Sequence, residues 1–214
     1  EKNVRLKIKP LKVVDYRDEA HPLQLLRILL GQGDIQVWAE GDLSKRLTAA
    51  GITALPRNRL APCEVLAVWN SPPGPQELAE AIQISVPKKV VLFAVDPQAD
   101  DTMGFLTRLA GLVKYGVKNQ GGLVHLSQLA GATAQKVVTV QKGLLFMAQR
   151  GDIICEQYAE DQLRVRIPPG ENRVSPAPGE VEIISQLKKS MAETAAYRLY
   201  YTRSSVAALL FSKG

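Results

Sequence analysis

Carboxylates that could hold a metal or trade a proton fall into two groups in this sequence. Asp15, Asp18 and Glu19 follow one apolar run, and Asp96, Asp100 and Asp101 follow another. Two-metal hydrolysis needs several carboxylates, with His, around cations about 4 Å apart. Neither group contains a His; His21 is the nearest, and His125 is isolated. Turn and cap roles therefore outweigh metal binding here. Cys63 and Cys155 have no Cys or His partner at zinc spacing. With two isolated histidines, no Ser-His-Asp or Cys-His set can be assembled.

Phosphate-cradling loops are no better represented. Gly31-Gln32-Gly33 follows a helix signal, not a strand, and lacks the third glycine and the Lys-Ser/Thr pair. Ser71-Pro72-Pro73-Gly74 does follow a strand, but without an adjacent basic residue it reads as a turn. The residue types point away from catalysis within this chain and toward binding.

Charge says where. The net charge is +6. Residues 1–100 carry 13 Lys and Arg against 12 Asp and Glu, a net of +1, and residues 101–214 carry 14 against 9, a net of +5. Nucleic acid or an acidic protein segment is drawn to the second half. No apolar run approaches 18 uncharged residues, so no membrane span is expected. Two unpaired cysteines fit a reducing cytoplasm. The chain starts on Glu1, not Met, with no signal-peptide pattern, which suggests a piece of a longer protein.

The elements that would position these residues divide into two styles. Up to residue 100, short apolar strands alternate with helices. Strands are expected over residues 4–8, Leu11–Tyr16, Ile35–Ala39, Val65–Trp69 and Lys88–Val95. Helices start at Pro22, follow Asp42 over Leu43–Ala50, and follow Pro75 over Gln76–Ile84. This alternation implies an α/β domain, a small parallel sheet with helices on both faces, over residues 1–100.

A different order follows. Met103–Val117 is an amphipathic helix with Asp101 or Thr102 as cap, and Gly121-Gly122 breaks it. Ser127 would cap a short helix over Gln128–Ala132, and Thr133 a longer one over Ala134–Gln149. Strands at Ile153–Gln157 and Leu163–Ile167 flank a hairpin loop, Tyr158–Gln162. Helix, short helix, longer helix, two-stranded wing is the order of a winged helix, expected over residues 101–170. The exposed face of its second helix would carry Gln135, Lys136, Thr139, Lys142 and Gln149, with Arg164 and Arg166 on the wing. Residues 171–214 complete the chain: Pro168–Pro178 reads as a linker, and Glu180–Thr202 as a final helix with Val181, Ile184, Leu187, Met191, Ala195 and Leu199 on one side and Lys188, Lys189, Arg198 and Arg203 on its surface. Candidate DNA- or partner-binding residues are Arg108, Lys114, Lys118, Lys136, Thr139, Lys142, Arg164, Arg166, Lys188 and Lys189.

Several phrases carry a family resemblance. Val13-Val14-Asp15-Tyr16-Arg17, Val37-Trp38-Ala39-Glu40-Gly41 and Val68-Trp69-Asn70-Ser71-Pro72-Pro73 resemble the C-terminal region of bacterial, cyanobacterial-type RecJ proteins. So do the run from Phe105 to Tyr115 and the later Glu193-Thr194-x-Ala196-Tyr197-Arg198. RecJ proteins are 5′–3′ single-stranded-DNA exonucleases of repair and recombination. Their nuclease core uses an Asp-His-His motif with Mn or Mg, and that motif is not in this sequence. The resemblance therefore implies a cofactor-free accessory region, with the exonuclease upstream in a parent chain. It implies as partners single-stranded DNA, the acidic tail of single-stranded-DNA-binding protein, and the rest of the parent chain. A DNA-binding transcription regulator with an α/β sensor domain explains the same element order. A free-standing α/β enzyme fits least.

Overall fold

The computed structural model describes residues 11–169 and 179–210. The strand expected over residues 4–8 and most of the linker over residues 168–178 lie outside the described residues. The protein is α/β. Four parallel strands, β1 (Lys12–Asp15), β2 (Gln36–Trp38), β3 (Val65–Asn70) and β4 (Lys89–Val95), form one sheet in the order β1-β4-β3-β2. Register is continuous across the centre: Val13 lies beside Val90, and Val90 beside Leu66.

The strands alternate with period two, and each face has its own helices. Val37, Ala67, Trp69, Val91 and Phe93 face α1 (Pro22–Leu30) and α2 (Gly41–Ala49), which contribute Leu26, Leu43 and Leu47. Trp38, Leu66, Val68, Val90 and Leu92 face α3 (Pro75–Ser85), which contributes Leu78 and Ala81. Pro75 opens α3, where its missing N–H has no helical partner to lose. The return from α2 to β3 is long. It passes the outer edge of β2, where the Leu55 N–H donates to the Val37 carbonyl at 2.8 Å and the Ala39 N–H donates to the Leu55 carbonyl at 3.1 Å. A 3-10 turn, Arg57–Arg59, follows at that edge.

The second group of elements is α4 (Thr102–Asn119), β5 (Leu123–His125), α5 (Leu126–Thr133), α6 (Val137–Gln149), β6 (Ile154–Ala159) and β7 (Gln162–Arg166). The Asp101 carboxylate caps α4 by accepting from the Gly104 N–H at 2.5 Å. Three differences from the expected pattern have clear causes. First, β5 is a strand: it pairs antiparallel with β7, so the hairpin is part of a three-stranded sheet, β5-β7-β6. Gly122, at φ +82°, lets the chain press its backbone against Val165, where a Cβ would collide with the Val165 carbonyl oxygen. Second, Ser127 caps nothing; its hydroxyl donates to the Asp161 carboxylate at 2.6 Å and so ties α5 to the hairpin turn. Third, Thr133 does not start α6. Its hydroxyl donates back to the Leu129 carbonyl at 2.8 Å, Ala134 takes a left-handed conformation, and α6 begins at Val137. Likewise Asp42 lies inside α2, whose preceding residue is Glu40, and no side chain caps that helix.

The final long helix, α7 (Glu180–Arg203), joins both cores. Ile183, Leu187 and Met191 pack with Leu109, Val140 and Leu144, while Tyr197 and Tyr201 pack on the β-sheet face beside α3. A short helix, α8 (Val206–Leu210), adds Val206, Leu209 and Leu210 there. The buried stripe is not the one an apolar count selects. Val181 is 81% exposed and Leu199 50% exposed, whereas Ser190, Thr194 and Arg198 are buried.

Candidate functional site

In open parallel sheets, ligands bind beyond the carboxyl ends of the strands. Here most of that edge is filled by the protein itself. Beyond β2, the fully buried Glu40 carboxylate accepts from the Trp38 indole N–H at 3.0 Å and from Arg57 Nε at 2.6 Å. A second Arg57 contact, at 2.5 Å, makes the pair bidentate. Beyond β3, the Asn70 side-chain oxygen accepts from the Glu40 N–H at 2.9 Å. Beyond β4, the Asp100 carboxylate pairs with Arg198 of α7 and accepts from the Gln135 amide at 3.3 Å.

The turn between α5 and α6 plugs into this edge. The Gln135 carbonyl accepts from Arg57 at 2.9 Å, and the Gln135 amide donates to the Ala99 carbonyl at 2.7 Å. Arg198 reaches the Ala134 carbonyl and, at 3.4 Å, the Ser71 carbonyl. The Ser71-Pro72-Pro73-Gly74 loop is therefore part of an internal joint. Burial pushes the Asp100 carboxyl up and the Arg198 guanidinium down, and each partner only partly offsets that in the other. Burial opposes the charge on Arg57 too, yet the Glu40 and Glu77 carboxylates hold its pKa above the ordinary value.

The carboxylate groups singled out by sequence have structural partners. Asp15 binds Arg17 through two contacts, at 2.8 and 2.7 Å. Glu19 accepts from the His21 N–H, Asp96 from the Gln98 N–H, and Asp101 caps α4. Among the described residues, no group of three or more His, Cys, Asp or Glu side chains comes together in a way that could hold a metal.

The candidate binding residues separate sharply. Gln135 and Thr139, expected on an exposed face, are fully buried: Gln135 precedes α6 and sits in the joint at the strand edge, and α7 covers Thr139, whose hydroxyl meets that of Ser190 at 2.9 Å. Lys142 is half-buried with Nζ 3.5 Å from the Gln186 carbonyl oxygen, and Gln149 is half-buried. What α6 does expose is Val138 and Leu145, at 45% and 52%, with Gln141. Lys136 lies against Gly74 and lines a recess with Glu77 and Glu80. Lys114 and Lys118 on α4, and Lys188 and Lys189 on α7, are exposed. On the hairpin, the Arg164 guanidinium sits 5.1 Å from the Tyr158 ring centroid, and Arg166 pairs with Glu156.

Comparisons with family models, with curated proteins and with solved structures find no match to this chain. What the site can do follows from its own geometry. Part of the strand edge stays open, including a cleft of about 540 Å³ beyond β2, between α2, the Arg57–Arg59 turn, α4 and α5. Lys45, Arg59 and Arg108 line it, with the amides of Asn58 and Gln128. Asp42 sits on its rim, 2.6 Å from Arg108 and 3.5 Å from Lys45. Arg108 is thus a cleft residue and not part of the hairpin surface. Sequence reasoning missed Glu40 and Arg57, where the signal was a Glu immediately after an apolar strand, and it placed Arg198 on the surface of the final helix, whereas Arg198 is buried.

Proposed function

We propose that this chain is a non-catalytic accessory region of a RecJ-like 5′–3′ single-stranded-DNA exonuclease of repair and recombination, and that its second group of elements guides single-stranded DNA. The observation that carries this reading is the hairpin. Arg164 stacks on an exposed Tyr158, with Arg166 nearby in an exposed pair with Glu156 that a phosphate can displace, on a solvent-facing strand pair. Arginine and aromatic side chains together grip a flexible strand through its phosphates and base faces without reading sequence.

The order α4-β5-α5-α6-β6-β7, with β5 paired to β7, supports treating this part as a winged helix. The phrases shared with RecJ proteins support the parent. The exonuclease, with its Mn or Mg, would then lie elsewhere in that parent, and the region would act in the cytoplasm. No helix among the described residues is long and apolar enough to cross a membrane.

The alternative, a transcription regulator reading duplex DNA, loses support from α6. A reading helix presents polar side chains to base edges. This one buries Thr139 and exposes Val138 and Leu145.

The test is a titration of the chain with a single-stranded oligonucleotide and with an acidic tail peptide, at low and moderate salt. Salt-sensitive binding of the oligonucleotide is expected. Binding of the peptide alone moves the assignment to protein docking, and binding of neither ends it. Robust cleavage of labelled single strands by this chain with Mn or Mg would overturn the non-catalytic reading.

A further inference from the structure

The open cleft beyond β2 is separate from the hairpin and adjoins the internal joint at the strand edge through Glu40. We propose that it binds a small phosphate monoester of about mononucleotide size.

Charge is the first ground. Lys45, Arg59 and Arg108 come from three different elements and line one recess. The one carboxylate inside it, Glu40, is already neutralised by Arg57. Counting Asp42 on the rim, the remaining balance is +2, which matches a phosphate monoester near neutral pH, at about −1.5 to −2. The walls of such a cleft focus this field more than a flat surface would.

Unfilled bonding capacity is the second ground. Arg108 Nε is buried without a hydrogen-bond partner. Arg59 is exposed and forms no ion pair among the described residues. Asn58 and Gln128 add amide donors and acceptors for a sugar or base edge.

Shape is the third ground. About 540 Å³ falls within the range of small-ligand sites, about 300–1,000 Å³. Pro56 and Leu112 give the recess apolar walls between its charged ends. The α5–α6 turn and Arg198 cover the neighbouring part of the strand edge and leave this stretch open.

Asp42 gives the proposal a distinctive signature. It holds Lys45 and Arg108 at the rim, and an incoming phosphate competes with it for both. Removing its charge should therefore help the ligand, whereas a purely structural ion pair would give no gain.

The experiment is calorimetric titration of the 214-residue chain with AMP, ribose 5-phosphate and adenosine. Binding of either phosphate ester, with adenosine at least about tenfold weaker, is expected. Asp42→Asn should tighten AMP several-fold, and Arg59→Glu should weaken it by about tenfold or more. Both positions are exposed, and thermal melts are the check that the variants fold. No binding of either ester at about 10 mM overturns the proposal. So does adenosine binding as well as AMP, or an affinity that neither substitution changes. Hairpin variants leave this titration untouched, so its failure is separate from failure of the accessory-region reading.

Discussion

The Thr139 hydroxyl lies 2.9 Å from the Ser190 hydroxyl, and both residues are buried where α6 meets α7. This single contact reverses the meaning of the α6 face. A surface with the residue types of a DNA reader is instead the seat of the chain's last long helix.

Thr139→Val should leave Ser190 without its partner in a dry contact. The expected cost is about 1–3 kcal/mol of stability, and Thr139→Arg should cost more by forcing α7 away. Urea denaturation followed by circular dichroism measures both. A stable, folded Arg variant would show that α7 does not lie on α6.

The Arg198–Asp100 pair joins α7 to the end of β4. Arg198→Met strands a partly buried carboxylate and should destabilise by about 3 kcal/mol. Adding Asp100→Asn removes that stranded charge, so the double variant should recover part of the loss. A double-mutant cycle reads the difference, and strict additivity would mean that the two side chains do not interact.

Single-stranded DNA binding should depend on the hairpin. Replacing Arg164 and Arg166 by Ala leaves up to two phosphates without a cationic partner. It should lower the slope of log affinity against log salt by about 0.7 for each such phosphate. Tyr158→Ala should weaken binding by about 1–3 kcal/mol with little change in that slope, because stacking carries no counterion. Fluorescence anisotropy across a salt series separates the two effects.

The Asp15–Arg17 pair makes the docking of α7 sensitive to acid. Arg17 also donates to the Tyr201 carbonyl and, at 2.8 Å, to the Ser204 carbonyl, so it links β1 to the end of α7. Its hydrogen bond to Asp15 holds that carboxyl below its ordinary value. The pair's contribution is therefore complete above the unfolded value of about 3.9 and fades as pH falls through the folded one. Hydrogen exchange at the end of α7 should speed up in that acid window before the sheet opens. In Asp15→Asn the acid-dependent step should vanish.

The sequence by itself determined most of the elements, though not β5 or the start of α6. Continuous apolar runs expected at Val65–Trp69 and Lys88–Val95, Pro75 at a helix start and the stripe from Phe105 to Val113 are local patterns, set by backbone geometry and by which sides need covering. The cationic excess of the second half, with Arg108, Arg164 and Arg166, was legible for the same reason.

Only the tertiary structure decided which polar groups leave water. Nothing in the local pattern separates buried Gln135, Thr139 and Arg198 from exposed Gln141, Lys188 and Lys189. Burial of a polar residue is favourable only when a distant partner completes its bonds: Asp100 for Arg198, Ser190 for Thr139, Arg57 for Glu40. Those partners lie 98, 51 and 17 residues away along the chain. The same long-range pairing fills most of the strand edge and leaves the cleft lined by Lys45, Arg59 and Arg108 open, so the gathering of these three cations was decided by the fold.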